Sequence, residues 1–507
     1  MRKFIYLLFI GIIISLTSCR KDFDTVESSG NLEFSKTEVY LDTVFTDIGS
    51  STYSLKVYNR SNKDISIPIV QLGKGLVSKY RIMVDGRSGN GKIFNNVELL
   101  AKDSMYIFIE TTANIADTEP DFTYNDKILF DLGANQQSVD LITLIQDAKF
   151  YFPNRTLNPT IYETINVNGF EAGTQGHTLV TTDFVASNPW HWTKDRPYVI
   201  YGNLVVPIGE TLTIEAGTSV HFHKDATLII DKGAKIDIQG TLNILDSDGL
   251  IVTKNEVTFE GDRLEPIYED VPGQWGALII LSELSNNIKH LTLKNAAVGI
   301  YTVSNLITPK LNIENSQIYD CSNYGILGIS SFITGRNLVI NYAGQASLVC
   351  SQGNYNFEHC TFNNNWPSSK QVSVLVNDYS VDQNNVATIT NVNANFKNCI
   401  IYGSNNVELF LDHKGSLFTS TFVNCLAKFN DTNTQIATDP FYNDIRNQTN
   451  GNIKNKDPKF KNLSKNKLNI ILNSGAYQKG STSPLFNDII NLPRTNPSDI
   501  GAYIFVP

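Results

Sequence analysis

Basic side chains are sparse in the central part of the chain, and one of them is placed where it could do chemistry. Arg336 is the only arginine between residues 295 and 425, and it directly precedes Asn337, a member of a repeated asparagine position. A basic side chain can bind an anionic group of a ligand or act as a general base. Arg336 is therefore a candidate ligand contact or base, and a solvated surface charge is the alternative interpretation.

Two other clusters contain residue types that bind metal ions. Six carboxylates surround Arg263 within residues 256–270, and carboxylate oxygens are the ligands that Ca²⁺ prefers. A solvated loop is the alternative interpretation of this acidic stretch. His221 and His223 alternate on a predicted strand and share one face, but two ligands without a third do not form a zinc site. We therefore assign no metal ligand, no cofactor and no catalytic residue.

Asparagine recurs at a regular spacing in the second half of the chain. The sequence has 55 asparagines in 507 residues, and six aligned positions follow one another at steps of 20, 22, 22, 39 and 26 residues. These positions are Asn295, Asn315, Asn337, His359, Asn398 and Asn424. Upstream, the strand, acidic residue and glycine of residues 212–222 return sixteen residues later in 228–238. Periods near 20 with strand patterns predict a β-solenoid, and the 39-residue step predicts a long loop within 373–394.

Stacking explains why asparagine suits this repeated position. In a parallel solenoid, equivalent residues lie ~4.8 Å apart, so their side-chain amides can form a hydrogen-bonded ladder. Asparagine also tolerates left-handed backbone at corners. Cys360, Cys399 and Cys425 follow three of these positions and align with Ala296 and Ser316. We expect them to be buried free thiols in the core, and a metal or redox site is the alternative.

The N-terminus predicts export and a lipid anchor. Arg2 and Lys3 precede about thirteen apolar residues, which is too short for a membrane span and typical of a signal peptide. The small residue before Cys19 is similar to a bacterial lipobox, in which the thiol receives diacylglycerol; an ordinary signal with a chance cysteine is the alternative. Residues 1–19 are thus a signal peptide and 20–31 a polar tether. The formal net charge of −9 argues against nucleic-acid binding.

The first globular segment, residues 32–148, has the pattern of antiparallel strands. Tyr53, Leu55 and Val57 alternate with polar residues, and so do Met105, Ile107 and Ile109. Such period-two runs, bounded by Asn, Gly and Ser clusters, indicate half-buried strands. About seven of them in this length predict an immunoglobulin-like β-sandwich. We expect it to act as a spacer.

The remaining chain resembles a known fold. Residues 196–202, 212–217, 272–276, 353–362, 457–460, Ser483-Pro484 and 499–503 carry the resemblance. The whole chain is similar to a lipoprotein of Bacteroidetes-type bacteria with a right-handed parallel β-helix of the pectin-lyase-like fold. The resemblance implies an all-β chain: the sandwich, a connector and N-terminal cap (149–197), and a β-helix with a C-terminal cap (198–507). Trp190 and Trp192 are candidate platforms for sugar rings, or they cover the open first coil.

The fold alone does not select an activity, because it hosts lyases, hydrolases, esterases and passive surface proteins. The paired and clustered acidic motifs of polygalacturonases are missing, and the sequence has no Asp-Asp pair. Two hypotheses remain. The first is a non-catalytic outer-membrane lipoprotein, on the surface or periplasmic side, that binds a polysaccharide or an envelope protein. The second is a polysaccharide lyase or hydrolase with a site on the β-helix face.

Overall fold

The computed structural model describes residues 24–113, 123–167, 170–183, 188–303, 310–381, 386–431, 434–482 and 487–507. The predicted signal segment with Cys19, and the Ser483-Pro484 pair, lie outside these residues. The chain is 51% strand and 5% helix, so the predicted all-β class is confirmed. It divides into two compact units, Met1–Asp147 and Ala148–Pro507.

The first unit contains two sheets whose buried side chains form one hydrophobic core. The six-stranded sheet consists of Val26–Glu27, Glu38–Phe45, Ile65–Leu72, Ile93–Leu99, Thr123–Phe130 and Gln137–Gln146. The four-stranded sheet consists of Glu33–Phe34, Tyr53–Tyr58, Tyr80–Val84 and Ser104–Thr111. Two 3₁₀ turns, Gly75–Val77 and Gly133–Asn135, connect strands. Alternating apolar residues produce this core because successive side chains of a strand point to opposite faces.

The predicted polar tether is wrong from Val26 onward. Val26–Glu27 pairs in parallel with the first residues of the Ile65–Leu72 strand. The hydroxyl of Ser28 donates to Asp131 Oδ2 at 2.8 Å. Pairing in the sheet satisfies backbone groups that a tether would leave to water, so these residues belong to the first unit.

The second unit is built from three columns of parallel strands, which confirms the prediction of a parallel β-helix-like fold. The first column is Lys149–Tyr151, Tyr198–Ile200, Ser219–Phe222, Val257–Gly261, Leu291–Lys294, Gln317–Cys321, Val339–Ala343, Thr361–Asn364, Ile400–Gly403, Leu426–Ala427 and Ile453–Lys454. The second is Gly176–Thr178, Asn203–Val206, Thr227–Ile230, Trp275–Ile280, Ala296–Val303, Val372–Asn377 and Leu409–Asp412. The third is His191–Trp192, Thr211–Glu215, Lys235–Gln239, Asn286–Lys289, Leu311–Glu314, Val392–Lys397 and Phe418–Val423. Tyr324–Arg336 and Ala346–Glu358 run through the second and third columns.

Short antiparallel hairpins project from the coils. They are Arg155–Thr156 with Ile161–Tyr162, Ile244–Leu245 with Ile251–Thr253, Tyr379–Val381 with Ala387–Ile389, and Phe460–Asn462 with Lys467–Ile470. The third of these hairpins accounts for the predicted long loop in the 39-residue step. The remaining 3₁₀ turns are Pro266–Tyr268, Pro440–Tyr442 and Leu463–Lys465.

The coil period near the start differs from the sixteen residues that the sequence similarity indicates. Leu212 pairs with Ile236, and Leu204 pairs with Leu228, a step of 24 residues in both cases. Leu212 and Leu228 lie in different strand columns. The sixteen-residue similarity therefore compares strands of different columns. It arises because strands of these columns share the same strand-and-glycine pattern.

The solenoid begins earlier than the predicted boundary at residue 198. Lys149–Tyr151 pairs with Tyr198–Ile200, and Gly176–Thr178 pairs with the Asn203–Val206 strand. The predicted connector therefore already forms the first coil. At the other end, the helices Thr434–Thr438 and Asn443–Arg446 follow the coils, and Ile445 joins the same core cluster as the coils.

The C-terminal segment (456–507) does not cap the end of the coils, as the sequence predicted, but lies along their side. Its buried residues pack on outward-facing apolar side chains of the first strand column in two clusters. In the first cluster, Tyr319 and Val339 of the strand column contact Leu468, Ile489, Ala502 and Tyr503. In the second, Ile400 and Leu426 contact Ile470, Ala476 and Ile500. The segment therefore shields apolar surface that would otherwise face water. Within the described ranges, none of the helices has the length and apolar character needed to cross a membrane.

Candidate functional site

The outer face of the third strand column carries two columns of polar side chains, which we call the polar face. Along these strands alternate residues are buried, as Ile333 and Tyr355 are, and the residues between them point outward. Strand register stacks the amide column as Thr213, Asp237, Asn287, Asn312, Thr334, Asn356, Asn395 and Thr421. It stacks the charged column as Glu215, Gln239, Lys289, Glu314, Arg336, Glu358, Lys397 and Val423.

The amide column offers hydrogen-bonding groups at the spacing of the coils. Asn312 Nδ2 donates to Asn287 Oδ1 at 3.2 Å, and Asn395 Nδ2 donates to Asn356 Oδ1 at 3.0 Å. Each amide has two donor hydrogens and an acceptor oxygen. Asn312 Nδ2 also donates to Ser285 Oγ, and Asn395 Nδ2 to Asn393 Oδ1, which leaves the Nδ2 donors of Asn287 and Asn356 and the Oδ1 acceptors of Asn312 and Asn395. The column can therefore donate to and accept from a ligand with hydroxyl groups that repeats along the solenoid axis.

The charged column alternates in sign, and its members pair with one another. Arg336 Nη1 lies 3.5 Å from Glu314 Oε1, and Lys397 Nζ lies 3.1 Å from Glu358 Oε1. Lys289 Nζ is 3.9 Å from Glu314. Pairs this exposed contribute little to stability, about 0–1 kcal/mol each. Their arrangement instead gives the charged column local charges of both signs that balance, and Asp237 of the amide column adds one negative charge to the face.

Arg336 lies between two concave surfaces. On one side is a cleft of about 650 Å³, in the range typical of ligand sites. Its lining is His290, Glu314, Asn315, Arg336 and Asn337 from the coils, Thr241 and Leu242 from the hairpin region, and Asn487, Asp488, Ile489 and Asn491 from the C-terminal segment. On the other side is a groove of about 390 Å³ that includes Asn356, Glu358, Asn395 and Lys397. The sequence candidate Arg336 therefore lines both concave surfaces.

The predicted asparagine ladder lies at the corner that follows the third column, one residue beyond the charged column. Five of its six predicted members occupy equivalent positions with left-handed backbone, φ between 47° and 54°: Asn315, Asn337, His359, Asn398 and Asn424. Asn337 Nδ2 donates to Asn315 Oδ1 at 2.9 Å, and Asn398 Nδ2 donates to His359 Nε2 at 3.0 Å. We call these residues, together with His290, the corner column.

The assignment of Asn295 to this ladder is wrong. Lys289 pairs with Glu314, so His290 is the residue equivalent to Asn315, and Asn315 Nδ2 lies 3.3 Å from His290 Nε2. Asn295 precedes a strand of the second column. Its amide donates to the carbonyl oxygens of Glu269 and Val271 at 3.0 Å each, which anchors a loop.

The C-terminal segment covers much of the corner column. Arg494 Nη2 donates to Asn337 Oδ1 at 2.8 Å, and Ser481 N donates to Asn398 Oδ1 at 2.9 Å. Burial, with the nearby Arg494 charge, lowers the pKa of His359 to about 2, so this imidazole is neutral and can accept from Asn398. The corner column therefore stabilises the coils and binds the chain's own C-terminal segment.

The three aligned cysteines are buried free thiols in one column. Cys360 pairs across coils with Cys399, and Cys399 with Cys425, while Ser316 is in the same column. Ala296 is outside this column, because it begins a strand of the second strand column. Cys399 Sγ donates to Lys397 O at 3.3 Å, and burial raises the pKa of Cys399 well above its usual value. Burial likewise raises the pKa of Cys425, so Cys399 and Cys425 are protonated, and all three thiols are core side chains.

The two tryptophans lie at the start of the solenoid. Trp192 is fully buried; its ring centroid is 4.5 Å from that of Tyr198, and its Nε1 donates to Pro189 O. Trp190 packs on the same core. Trp192 therefore covers the first coil and is not accessible to a sugar ring.

The metal candidates do not assemble. In the parts of the chain that the structure describes, no group of three or more His, Cys, Asp or Glu side chains is arranged to hold a metal ion. His223 Nδ1 instead lies 2.7 Å from Asp262 Oδ2, and His221 Nδ1 lies 3.8 Å from Glu260 Oε1. Glu260 is also paired with Lys294 at 3.0 Å.

Sequence comparison and structure comparison give little further information. No protein-family model and no curated protein matches the chain. Among solved structures, a family 123 glycoside hydrolase from Clostridium perfringens is 7% identical over 23% of this chain and 27% of that chain, with a TM-score of 0.17. The E. coli chaperone DraB is 14% identical over 24% of this chain and 58% of its own, TM-score 0.15. The periplasmic chaperone SfaE is 12% identical over 23% and 58%, TM-score 0.14. This chain thus spans less than two thirds of each, and similarity this low carries no argument about function.

The polar face contains residues that the sequence analysis did not select. Glu314, Glu358 and Lys397 directly precede Asn315, His359 and Asn398, as Arg336 precedes Asn337. The signal was therefore present in the sequence, one position before each member of the repeat. It was missed because Arg336 was considered alone, without the residues at the same offset in neighbouring coils.

Proposed function

We propose that this protein is a non-catalytic lipoprotein of the cell envelope that binds a glycan chain along the polar face. The observation that supports this proposal most strongly is the stack of amide, hydroxyl and paired charged side chains from successive coils, with a cleft of about 650 Å³ beside Arg336. Sugars present hydroxyl groups that both donate and accept, and the amide column has free capacity of both kinds.

The supporting argument against catalysis is the pairing of the charged column. A general acid or base needs an environment that separates its pKa from that of its neighbours. Here each charged side chain near Arg336 lies within 4 Å of one of opposite sign, so the face presents paired charges rather than an isolated acid or base. Such a face suits binding, with Arg336 as the contact for an acidic sugar.

A polysaccharide-degrading enzyme remains the second candidate, since one observation favours it. Glu314, Arg336, Glu358 and Lys397 come from consecutive coils. Glu314 and Arg336 line the cleft, and Arg336, Glu358 and Lys397 line the groove. Lyases and hydrolases of solenoid folds use charged side chains from neighbouring coils in this manner. In that case Arg336 would act as the base, and the carboxylates of Glu314 and Glu358 would lie beside it.

The experiment is a binding and product assay on the purified mature chain with a panel of uronate and neutral polysaccharides. We expect binding without new reducing ends or unsaturated products. Arg336→Ala should weaken binding about tenfold, equal to the loss of ~1.4 kcal/mol, whereas Lys224→Ala, an exposed lysine at a turn outside the face, should not. Products that disappear in Arg336→Ala would establish the enzyme instead, and binding only to an envelope protein would replace the glycan.

We further propose that Cys19 carries the lipid anchor. The first unit would be an immunoglobulin-like sandwich that spaces the solenoid from the outer membrane. The solenoid would be a right-handed β-helix of the pectin-lyase-like fold. The support is the lipobox-like sequence and the resemblance to envelope lipoproteins of Bacteroidetes-type bacteria. Labelled palmitate should enter the wild-type chain and not Cys19→Ala in a bacterial host. Equal release of both chains into the soluble fraction would contradict the anchor.

A further inference from the structure

The first unit exposes two aromatic rings side by side on one sheet face. Tyr106 and Phe108 are alternate residues of the Ser104–Thr111 strand, with 47% and 39% of their surface exposed. Their ring centroids are 6.1 Å apart and their planes differ by only 12°. Met83, on the neighbouring Tyr80–Val84 strand, is also exposed. These three exposed side chains therefore form an apolar surface with two nearly parallel rings, which we call the aromatic platform.

One end of the aromatic platform adjoins a small cavity. A pocket of about 380 Å³ lies there, lined by Phe108, Met83, Arg81, Glu110, Thr52, Ser88 and neighbouring residues. Thr52 Oγ1 donates to Glu110 Oε1 at 2.5 Å, and Arg81 Nη2 lies 3.6 Å from Glu110 Oε2. Carboxylate, guanidinium and hydroxyl groups thus stand beside a flat ring, and their charges compensate.

We propose that the aromatic platform and this pocket bind a flat, extended chain of neutral pyranose units. The apolar C–H face of a pyranose packs on an aromatic ring, and its equatorial hydroxyls reach sideways to groups such as Glu110 and Arg81. Two neighbouring exposed rings along an extended strand, with centroids 6.1 Å apart, offer contacts to two consecutive sugar units. The compensated Arg81–Glu110 pair fits a neutral sugar better than an acidic one.

Other occupants fit this surface less well. The exposed parts of Tyr106, Phe108 and Met83 amount to on the order of 250 Å², taking ~200 Å² for each side chain. A specific protein interface needs about 800 Å² per partner. Lys56 Nζ lies over the Tyr106 ring, 5.2 Å from its centroid, and the Arg81–Glu110 pair borders Phe108, so charged groups lie next to both rings. This surface is too small and too closely bordered by charge for a lipid or protein partner.

This proposal does not depend on the polar face, because the aromatic platform lies entirely within the first unit. The test uses the full mature chain and isothermal titration with β-1,4-linked glucose, mannose and xylose hexamers. We expect at least one hexamer to bind, and Tyr106→Leu and Phe108→Leu each to weaken that binding tenfold or more. Leucine keeps an apolar side chain but removes the flat ring. Tyr106→Phe should bind within threefold of wild type.

The matched control is Tyr40→Leu, which removes a tyrosine of similar exposure, 43%, from the other sheet of the same unit. It should bind as wild type. Unchanged melting temperatures will show that the leucine variants fold. The proposal is overturned if no hexamer binds, if the leucine variants bind normally, or if Tyr40→Leu loses as much affinity as Tyr106→Leu. Loss in Arg336→Ala alone would locate the sugar on the polar face.

Discussion

The amide column and the corner column lie three residues apart on the same coils, and their asparagines have different roles. In the corner column, Asn398 has φ of 54°, is fully buried, and contacts His359 and Ser481. In the amide column, Asn395 lies on a regular strand, is half-exposed, and contacts Asn356 and Asn393. The same residue type thus supports the fold in one column and forms a surface in the other. Backbone conformation and covering by the C-terminal segment, rather than residue type, decide between the two.

The largest expected effect is in the corner column. Asn398→Leu should lower the free energy of unfolding by about 3 kcal/mol, because left-handed backbone costs a branched residue ~1–2 kcal/mol and the buried Ser481 N–H loses its acceptor, at ~1–3 kcal/mol. Urea denaturation measures it. Asn398→Gly, which accepts the backbone angle, should recover the part due to strain. A loss below 1 kcal/mol would show that the corner column is not a stabilising element.

The second effect is a pH dependence that asparagine members of the corner column lack. Because burial lowers the pKa of His359 to about 2 while that of an unfolded histidine is about 6.5, the unfolded chain binds the extra proton between these values. Stability from His359 is therefore complete above pH 6.5 and falls as the pH decreases. We compare the free energy of unfolding of His359→Asn with that of wild type. This difference should shift in favour of His359→Asn by on the order of 2 kcal/mol between pH 7.5 and pH 4.5. Denaturation of both chains at both pH values checks this, and parallel pH profiles would contradict it.

The sequence predicted the period of the coils because asparagine marks a corner whose backbone few residues tolerate. It could not place Asn295, since the step from Asn295 to Asn315 is 20 residues, close to the period of 22, whereas the true step from His290 is 25. Histidine also carries no sequence signal for that corner. A spacing rule fails where a coil changes length.

The position of the C-terminal segment was also missed, although the sequence contained a sign of it. In the first strand column, Val339 and Ile340 are both buried, as are Ile400 and Ile401. A strand with only one face in the core alternates apolar and polar residues, whereas one that is buried on both faces is continuously apolar. These runs imply a cover on the outer side. What forms the cover cannot be derived locally, because it lies up to 186 residues away, as in the Tyr503–Gln317 hydrogen bond.

A smaller effect is expected in the charged column. Glu314→Gln removes the partner of Arg336 while keeping the shape of the side chain, and an exposed pair of this type contributes about 0–1 kcal/mol. Stability should therefore change by less than ~1 kcal/mol. Affinity for a uronate polymer should rise about threefold, with a steeper salt dependence, and affinity for neutral glycans should not change. Equal shifts for both glycan classes would contradict a charge contact at Arg336.

The smallest effect should come from the amide column, where the substitution is one that the column already contains. Thr334 and Thr421 occupy the same column as Asn395, and β-branched residues suit extended backbone. Asn395→Thr should therefore change the free energy of unfolding by less than ~0.5 kcal/mol and glycan affinity by no more than about twofold. Asn398→Thr, the same change three residues later, should cost about 2 kcal/mol, because threonine does not favour φ of 54°. If both variants lose the same stability, the two columns do not differ in the way that their backbones indicate, and the distinction between a supporting column and a surface column fails.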